Sequence, residues 1–248
     1  MREYKDETYG DRISEVYDDF YGDCDPAAIE MLVELAGDGP ALELGIGTGR
    51  VALPLQARGV AVQGIDASRE MISKLRSKEG GTGIEVLTGS FAEFKIDGRF
   101  RLIYVVFNTF FALLSQREQI ACFRSVSEHL APAGAFVMEV FVPDLGRFVD
   151  GQTVRTVELA EDTVHLEVSQ INPVAQQVTS QHVVLAKEGV TLYPVKLRYA
   201  WPTELDLMSQ IAGLSLRQRW SSWSKQPFTA ESKKHISVYG HADQVEFG

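Results

Sequence analysis

The sequence predicts an α/β protein: a parallel sheet covered by helices on both faces, followed by an antiparallel β insertion. Three observations predict it. Short apolar runs at 40–44, 60–65, 84–87, 102–107 and 136–141 alternate with segments of helical periodicity, the pattern of strands buried on both faces. The first run stops in a glycine corner, with Gly45, Gly47 and Gly49 at alternate positions after Glu43. Beyond Pro143 the grammar changes to consecutive Val-, Thr- and Gln-rich stretches joined by turn residues.

Residues 11–21 place Ile13, Val16, Tyr17, Phe20 and Tyr21 on one helical stripe. Two readings stand for it, a lid over the sheet's crevice or an amphipathic helix packed on the core. Pro26 opens a helix over 26–36 that turns Ile29, Leu32, Val33 and Leu35 inward and ends at Gly37 and Gly39. Strand 40–44 leads to a helix over 49–58, with Pro54 early enough to cost little. Strand 60–65 ends in Asp66, and Ser68 caps a helix over 69–78 with Met71, Ile72 and Leu75 inward. Strand 84–87 leads to Thr88-Gly89-Ser90-Phe91, and strand 102–107 ends at Asn108. A helix over 116–130 carries Ile120, Phe123, Val126 and Leu130 inward until Pro132 and Gly134 stop it, and strand 136–141 follows.

The insertion reads as strands 153–159, 163–171, 175–187 and 190–200, joined at Glu161–Asp162, Asn172–Pro173 and Glu188–Gly189. It is expected to roof the crevice or meet a second subunit. Pro202 opens a helix over 203–212, and strands 214–223 and 235–239 close the chain. The organisation is an N-terminal lid and helices over 1–36, a core over 37–142 and 201–248, and the insertion over 143–200.

A chain of 248 residues buries a full core. Its net charge of −10 and pI near 5.0 argue against a nucleic-acid surface, which needs clustered Lys and Arg. The basic cluster at 69–78 is periodic and reads as the wet face of a helix. No apolar run is long enough to span a membrane, and the acidic opening Met1–Asp25 does not resemble a secretory leader. Cys24 and Cys122 are isolated, and no His, Cys, Asp or Glu cluster has metal-ligand spacing. The expectation is a cytoplasmic enzyme with reduced thiols, no metal, and a small-molecule substrate.

The glycine corner sets the chemistry. In a dinucleotide fingerprint the third glycine comes later and the pyrophosphate sits at the helix N-terminus. Here Arg50 occupies that later place and Glu43 ends the strand. A carboxylate there repels a pyrophosphate but suits a ligand with hydroxyls and positive charge. Asp66, ending the adjacent strand, is positioned to accept both hydroxyls of a ribose.

These residues resemble the class I S-adenosylmethionine-dependent methyltransferases. Glu43, Gly45, Gly47 and Gly49 match the family's Glu-x-Gly-x-Gly-x-Gly motif, and Asp66 matches its ribose-binding acid. Where the family has Gly-Asp toward adenine, this chain has Gly89–Ser90, then Phe91. The resemblance implies a Rossmann-like seven-stranded sheet in order 3-2-1-4-5-7-6, the seventh strand antiparallel. It implies S-adenosylmethionine as cofactor, with Tyr17, Glu43, Gly45, Ile46, Gly47, Gly49, Asp66, Ala67, Ser90, Phe91, Phe107 and Asn108 around it. Within the superfamily the chain is similar to small-molecule methyltransferases of bacterial antibiotic pathways, including those that N-methylate aminosugars or lincosamide intermediates. In that group a tyrosine-bearing N-terminal helix closes over the donor, which casts Tyr9 and Tyr17 as lid residues.

Methyl transfer from a sulfonium needs alignment and exclusion of water more than activation. Tyr9, Phe110, Phe111, Arg198 and Trp201 are the candidate acceptor walls, with a core role as the alternative for the two phenylalanines and a structural one for Arg198. Tyr9, Tyr17, Glu139 and His182 are the candidate catalytic groups. Glu139 sits in an apolar strand, where a charge is costly unless it is paired or faces the crevice. His182 is a base or an ordinary sheet histidine. N-methylation leads, O-methylation is the near alternative, and an NAD-type oxidoreductase or a non-catalytic binding or dimerisation protein are the other readings.

Overall fold

Alternate residues of the central strands bury themselves on opposite faces of one sheet, and this two-sided pattern is why helices cover both. The computed structural model of the chain describes residues 4–242. Strands β1 (Ala41–Leu44), β2 (Val62–Asp66), β3 (Glu85–Thr88), β4 (Phe100–Val105) and β5 (Leu130–Phe141) pair in parallel. Strands β10 (Leu214–Trp220) and β11 (Lys234–His241) complete the sheet in the order β3-β2-β1-β4-β5-β11-β10, with β11 antiparallel to β5. The expected order 3-2-1-4-5-7-6 is the one found.

Leu42, Leu44, Ile103 and Val105 face a core shared with helices α6 (Gln116–His129) and α7 (Pro202–Ile211). Ala41, Leu102 and Tyr104 face the opposite core, closed by α3 (Pro26–Ala36), α4 (Ala52–Ala57) and Leu75 of α5 (Arg69–Ser77). Local signals set the helix starts. Asp25 caps α3 ahead of Pro26, Ser68 caps α5, and Ser115 with Glu118 forms a reciprocal capping box on α6.

Three segments depart from the sequence reading. The stripe at 11–21 is split into α1 (Thr8–Ile13) and α2 (Tyr17–Tyr21), because Val16 leaves helical geometry at φ −113°, ψ 2°. The helix expected over 49–58 begins only at Ala52, since Gly49 holds φ +78°, outside the right-handed helical region. Pro132 and Gly134 lie inside β5 rather than ending α6, which stops at His129. Pro132 is exposed there, and the β4–β5 register shifts between Phe100 and Leu102.

The insertion is a four-stranded antiparallel meander, β6 (Gln152–Leu159), β7 (Thr163–Asn172), β8 (Gln177–Ala186) and β9 (Gly189–Arg198). Its last turn is Lys187–Glu188, one residue earlier than expected, because Gly189 already pairs with Ala186. Ile13, Met71 and Tyr193 form a small core that joins α1 to α5 and β9, so the N-terminal segment bridges the main sheet and the insertion. No helix among the described residues is long and apolar enough to cross a membrane.

Candidate active site

A cavity of about 550 Å³ lies where the carboxyl ends of β1, β2 and β4 meet α1, α2 and the insertion. Its floor is the glycine corner. Gly47 lines the cavity at φ +55°, and a side chain there would project into open space, so the missing Cβ lets a ligand reach backbone. Asp66, from the end of β2, ties this corner down. Its Oδ2 accepts the Gly47 amide at 2.7 Å and its Oδ1 accepts the Ser68 amide at 2.8 Å. Burial raises the Asp66 pKa above the ordinary carboxylate value, with the amide hydrogen bonds working against that rise. Ala67, Ser90, Phe91, Phe107 and Asn108 continue the same wall.

Phe107 and Asn108 hold positive φ, 57° and 66°, a conformation that costs non-glycine residues energy and must be held by neighbours. Here the holders are identifiable. Glu139 Oε2 accepts the Phe107 amide at 3.1 Å, and Asn108 Oδ1 accepts the Phe141 amide at 2.7 Å. The other Glu139 oxygen accepts Trp223 Nε1 at 3.2 Å and Lys234 Nζ at 2.7 Å. Glu139 is therefore paired rather than turned to the crevice. It positions the loop and does not line the cavity.

Glu43 also lies behind the wall. It is 3% exposed and accepts the Tyr104 hydroxyl at 2.9 Å, and burial pushes its pKa up to about 8. A carboxylate read as facing the crevice thus sits beneath it, where burial favours its protonated form. Ile46 and Gly49 are likewise packed under the corner, with Ile46 against Gly64 and Gly49 against Leu75.

The opposite wall comes from α1, α2 and the insertion. The Tyr9 and Tyr21 hydroxyls meet at 2.7 Å, and the Tyr17 and Tyr21 rings lie 4.8 Å apart. The Tyr21 and Phe107 rings meet at 4.8 Å, and the Arg50 guanidinium lies 4.6 Å over the Phe107 ring. Three polar links fasten this segment across the site: Asp11 to Ser68 at 2.7 Å, Asp18 to Thr48 at 2.6 Å, and Asp18 to Lys78 at 2.7 Å.

Of the expected acceptor walls, Tyr9 lines the cavity and four do not. Phe110 and Phe111 are fully buried, edge-to-face with Phe123 and Phe141 in the core. Arg198 is committed to Glu204 at 2.7 Å, Gln119 at 2.5 Å and Gln176 at 3.0 Å, a knot joining β9 to α6 and α7. Trp201 precedes α7 and is 40% exposed, away from the cavity lining. His182 does line it, with Nδ1 at 3.0 Å from His165 Nε2, and burial lowers the pKa of both rings. Sequence reasoning missed Tyr4, Tyr21, Arg155, Glu167 and Lys196 as lining groups. One signal was available: His165, Glu167 and Ser169 alternate in β7 with Leu166 and Val168, and the polar set is the buried one.

This geometry has known counterparts. A methyltransferase-domain family model matches residues 41–134. The CcbJ methyltransferase from Streptomyces caelestis, of solved structure, is 41% identical with a TM-score of 0.90, covering 96% of this chain and 100% of that one. This chain belongs to the S-adenosylmethionine-dependent methyltransferases. The cypemycin N-terminal methyltransferase of a Streptomyces species is 29% identical over 198 residues, 79% of this chain and 81% of that protein. CalS10, an amino pentose methyltransferase from Micromonospora echinaspora solved with S-adenosylmethionine bound, shares the fold at 20% identity and a TM-score of 0.67, covering 96% and 98% of the two chains. As a member of that family, the protein takes S-adenosylmethionine as its methyl donor.

Proposed function

We propose that this methyltransferase N-methylates a small amine, an intermediate of natural-product biosynthesis, in the cytoplasm. The observation that carries the reading is the single cavity running from the Gly47–Asp66 corner to a chamber walled by tyrosines and the insertion. The cypemycin relative, an N-terminal methyltransferase, supports the choice of nitrogen.

The residues present fit the donor. Asp66 keeps acceptor capacity toward the cavity for ribose hydroxyls, Gly47 leaves room for close approach, and Phe91 offers an apolar face beside Ser90 for a flat base. Phe107 and Asn108 sit where the donor's methyl end belongs in this reading. Glu43 holds the corner from beneath. When bound, the donor supplies a sulfonium methyl already activated for displacement. The protein's work is to align the amine lone pair with that methyl and to exclude water.

Tyr9, Tyr17 and Tyr21 close over this point, presenting ring faces and hydroxyls suited to a cationic centre. His182 is neutral near pH 7 and stands on the insertion wall, so it takes the proton an ammonium acceptor must lose before its lone pair is free. Transfer would leave the positive charge on the product nitrogen, toward which Tyr9, Tyr17 and Tyr21 present ring faces. O-methylation is the second reading; a hydroxyl would make the same proton demand of His182. The exposed edge strand of the insertion, β6, makes it the natural surface for a second copy.

The test is a transfer assay with S-adenosylmethionine and matched acceptors, aminosugars and cyclic amines against their hydroxyl counterparts, with products read by mass spectrometry and NMR. Methyl groups on nitrogen support the reading. Methyl groups found on oxygen alone overturn it.

A further inference from the structure

One row of side chains crosses the inner face of the insertion. Arg155 of β6 pairs in register with Glu167 of β7, Glu167 with His182 of β8, and His182 with Tyr193 of β9. The first three line the cavity. The patterning is inverted for a sheet packed on a protein core: Glu167 is 9% exposed, while Val154 and Val168, which alternate with these polar residues along the strands, are 64% and 39% exposed. Turning carboxylate and imidazole inward is costly unless something meets them.

We propose that Glu167 is the ammonium-binding residue of the acceptor subsite. The assignment rests on the reading of the protein as an amine methyltransferase. Arg155 takes one side of the carboxylate, donating from Nε to Oε2, and its own side chain is more than half exposed. The other oxygen, Oε1, has only long contacts from Ser169 at 3.3 Å and Ser180 at 3.4 Å. Those two hydroxyls also bond each other at 2.7 Å, so one of their protons is already spent. Oε1 therefore keeps a free lone pair beside Ser180, which lines the cavity.

The carboxylate is charged despite its burial. Burial alone would raise its pKa, but the Arg155 hydrogen bond and charge outweigh that effect and hold it below the ordinary value. Tyr21, whose ring meets Phe107, lines the same cavity as Glu167. A cavity lined by both an anionic oxygen and aromatic rings selects an ammonium over a neutral ring of equal size. His182, directly beside Glu167, then meets the bound nitrogen.

The experiment titrates the protein, saturated with S-adenosylhomocysteine, with piperidinium chloride and with cyclohexanol, followed by NMR. Saturable binding of piperidinium, much weaker binding of cyclohexanol, and a loss of about tenfold or more in piperidinium affinity for Glu167→Gln are expected. Unchanged S-adenosylhomocysteine affinity certifies that the variant is folded. Ser180→Ala keeps the carboxylate and is expected to retain most of the affinity. No saturable piperidinium binding, equal affinity for cyclohexanol, or equal affinity in Glu167→Gln overturns the subsite. A measurement on the unaltered protein guards against a variant that fails to fold: piperidinium is expected to shift the His182 ring resonances, and unmoved resonances overturn the assignment. None of these readouts uses methyl transfer. A protein that binds piperidinium yet methylates only hydroxyls loses the N-methylation reading, whereas one that methylates amines with Glu167→Gln at full affinity loses only the subsite.

Discussion

The Asp66 carboxylate accepts the Gly47 amide at 2.7 Å, so the end of β2 holds the loop that follows β1. One side chain shapes the corner and, under the proposed function, also takes the donor's hydroxyls. Asp66→Ala is expected to raise the S-adenosylmethionine dissociation constant by about tenfold or more, since hydrogen bonds to a charged group contribute about 1.5–3 kcal/mol each. Calorimetry checks it, and an unchanged constant would remove Asp66 from the donor site.

Glu43 gives a pH signature. An unfolded glutamate ionises near 4.5, whereas the folded one keeps its proton up to about 8 because of burial. Between these values the folded state binds more protons, so this group's contribution to stability is full below pH 4.5 and is lost as pH rises toward 8. Glu43→Gln is expected to flatten the decline of the urea midpoint across that window. A parallel decline in both proteins would mean that Glu43 is ionised throughout.

Glu139 serves Phe107, Trp223 and Lys234 together. Glu139→Ala is expected to cost about 2–4 kcal/mol in urea unfolding, because it orphans a buried indole N–H and frees a strained loop. Donor affinity is expected to fall with it. A variant of normal stability with a lost limb in its pH–rate profile would instead make Glu139 a base.

The Tyr9–Tyr21 hydroxyl pair predicts a division of effects. Tyr9→Phe and Tyr17→Phe are expected to lower turnover severalfold and to leave donor affinity nearly unchanged, because the rings remain and only the hydroxyls go. Steady-state kinetics on the same amine acceptor measures this. Unaltered turnover in both variants would remove the tyrosine hydroxyls from the mechanism.

Much of the fold was legible because strand periodicity, caps and glycine punctuation are local. Ser68, Asp25 and the Ser115–Glu118 box start helices within a residue of their expected places. The α1–α2 break at Val16 was not legible, because the partners that Ile13 packs against, Met71 and Tyr193, are distant in sequence. The site divides in the same way. Gly47 and Asp66 stand at strand ends, where topology alone puts them in the crevice. Glu43, Glu139, Phe110, Phe111 and Arg198 depended on which face or partner they found, and Tyr104, Trp223, Phe123, Phe141 and Glu204 are those partners. Glu167 escaped notice because a polar residue in an alternating strand normally reads as the wet side, and here the wet side faces a cavity.

The most direct test of the donor site is calorimetric titration of the purified protein and its Asp66→Ala variant with S-adenosylmethionine, S-adenosylhomocysteine and NAD. Saturable binding of the first two, weakened in the variant, and none for NAD is the predicted result. Failure of a folded protein to bind either adenosyl compound, or binding indifferent to Asp66, would contradict the donor site at the Gly47–Asp66 corner.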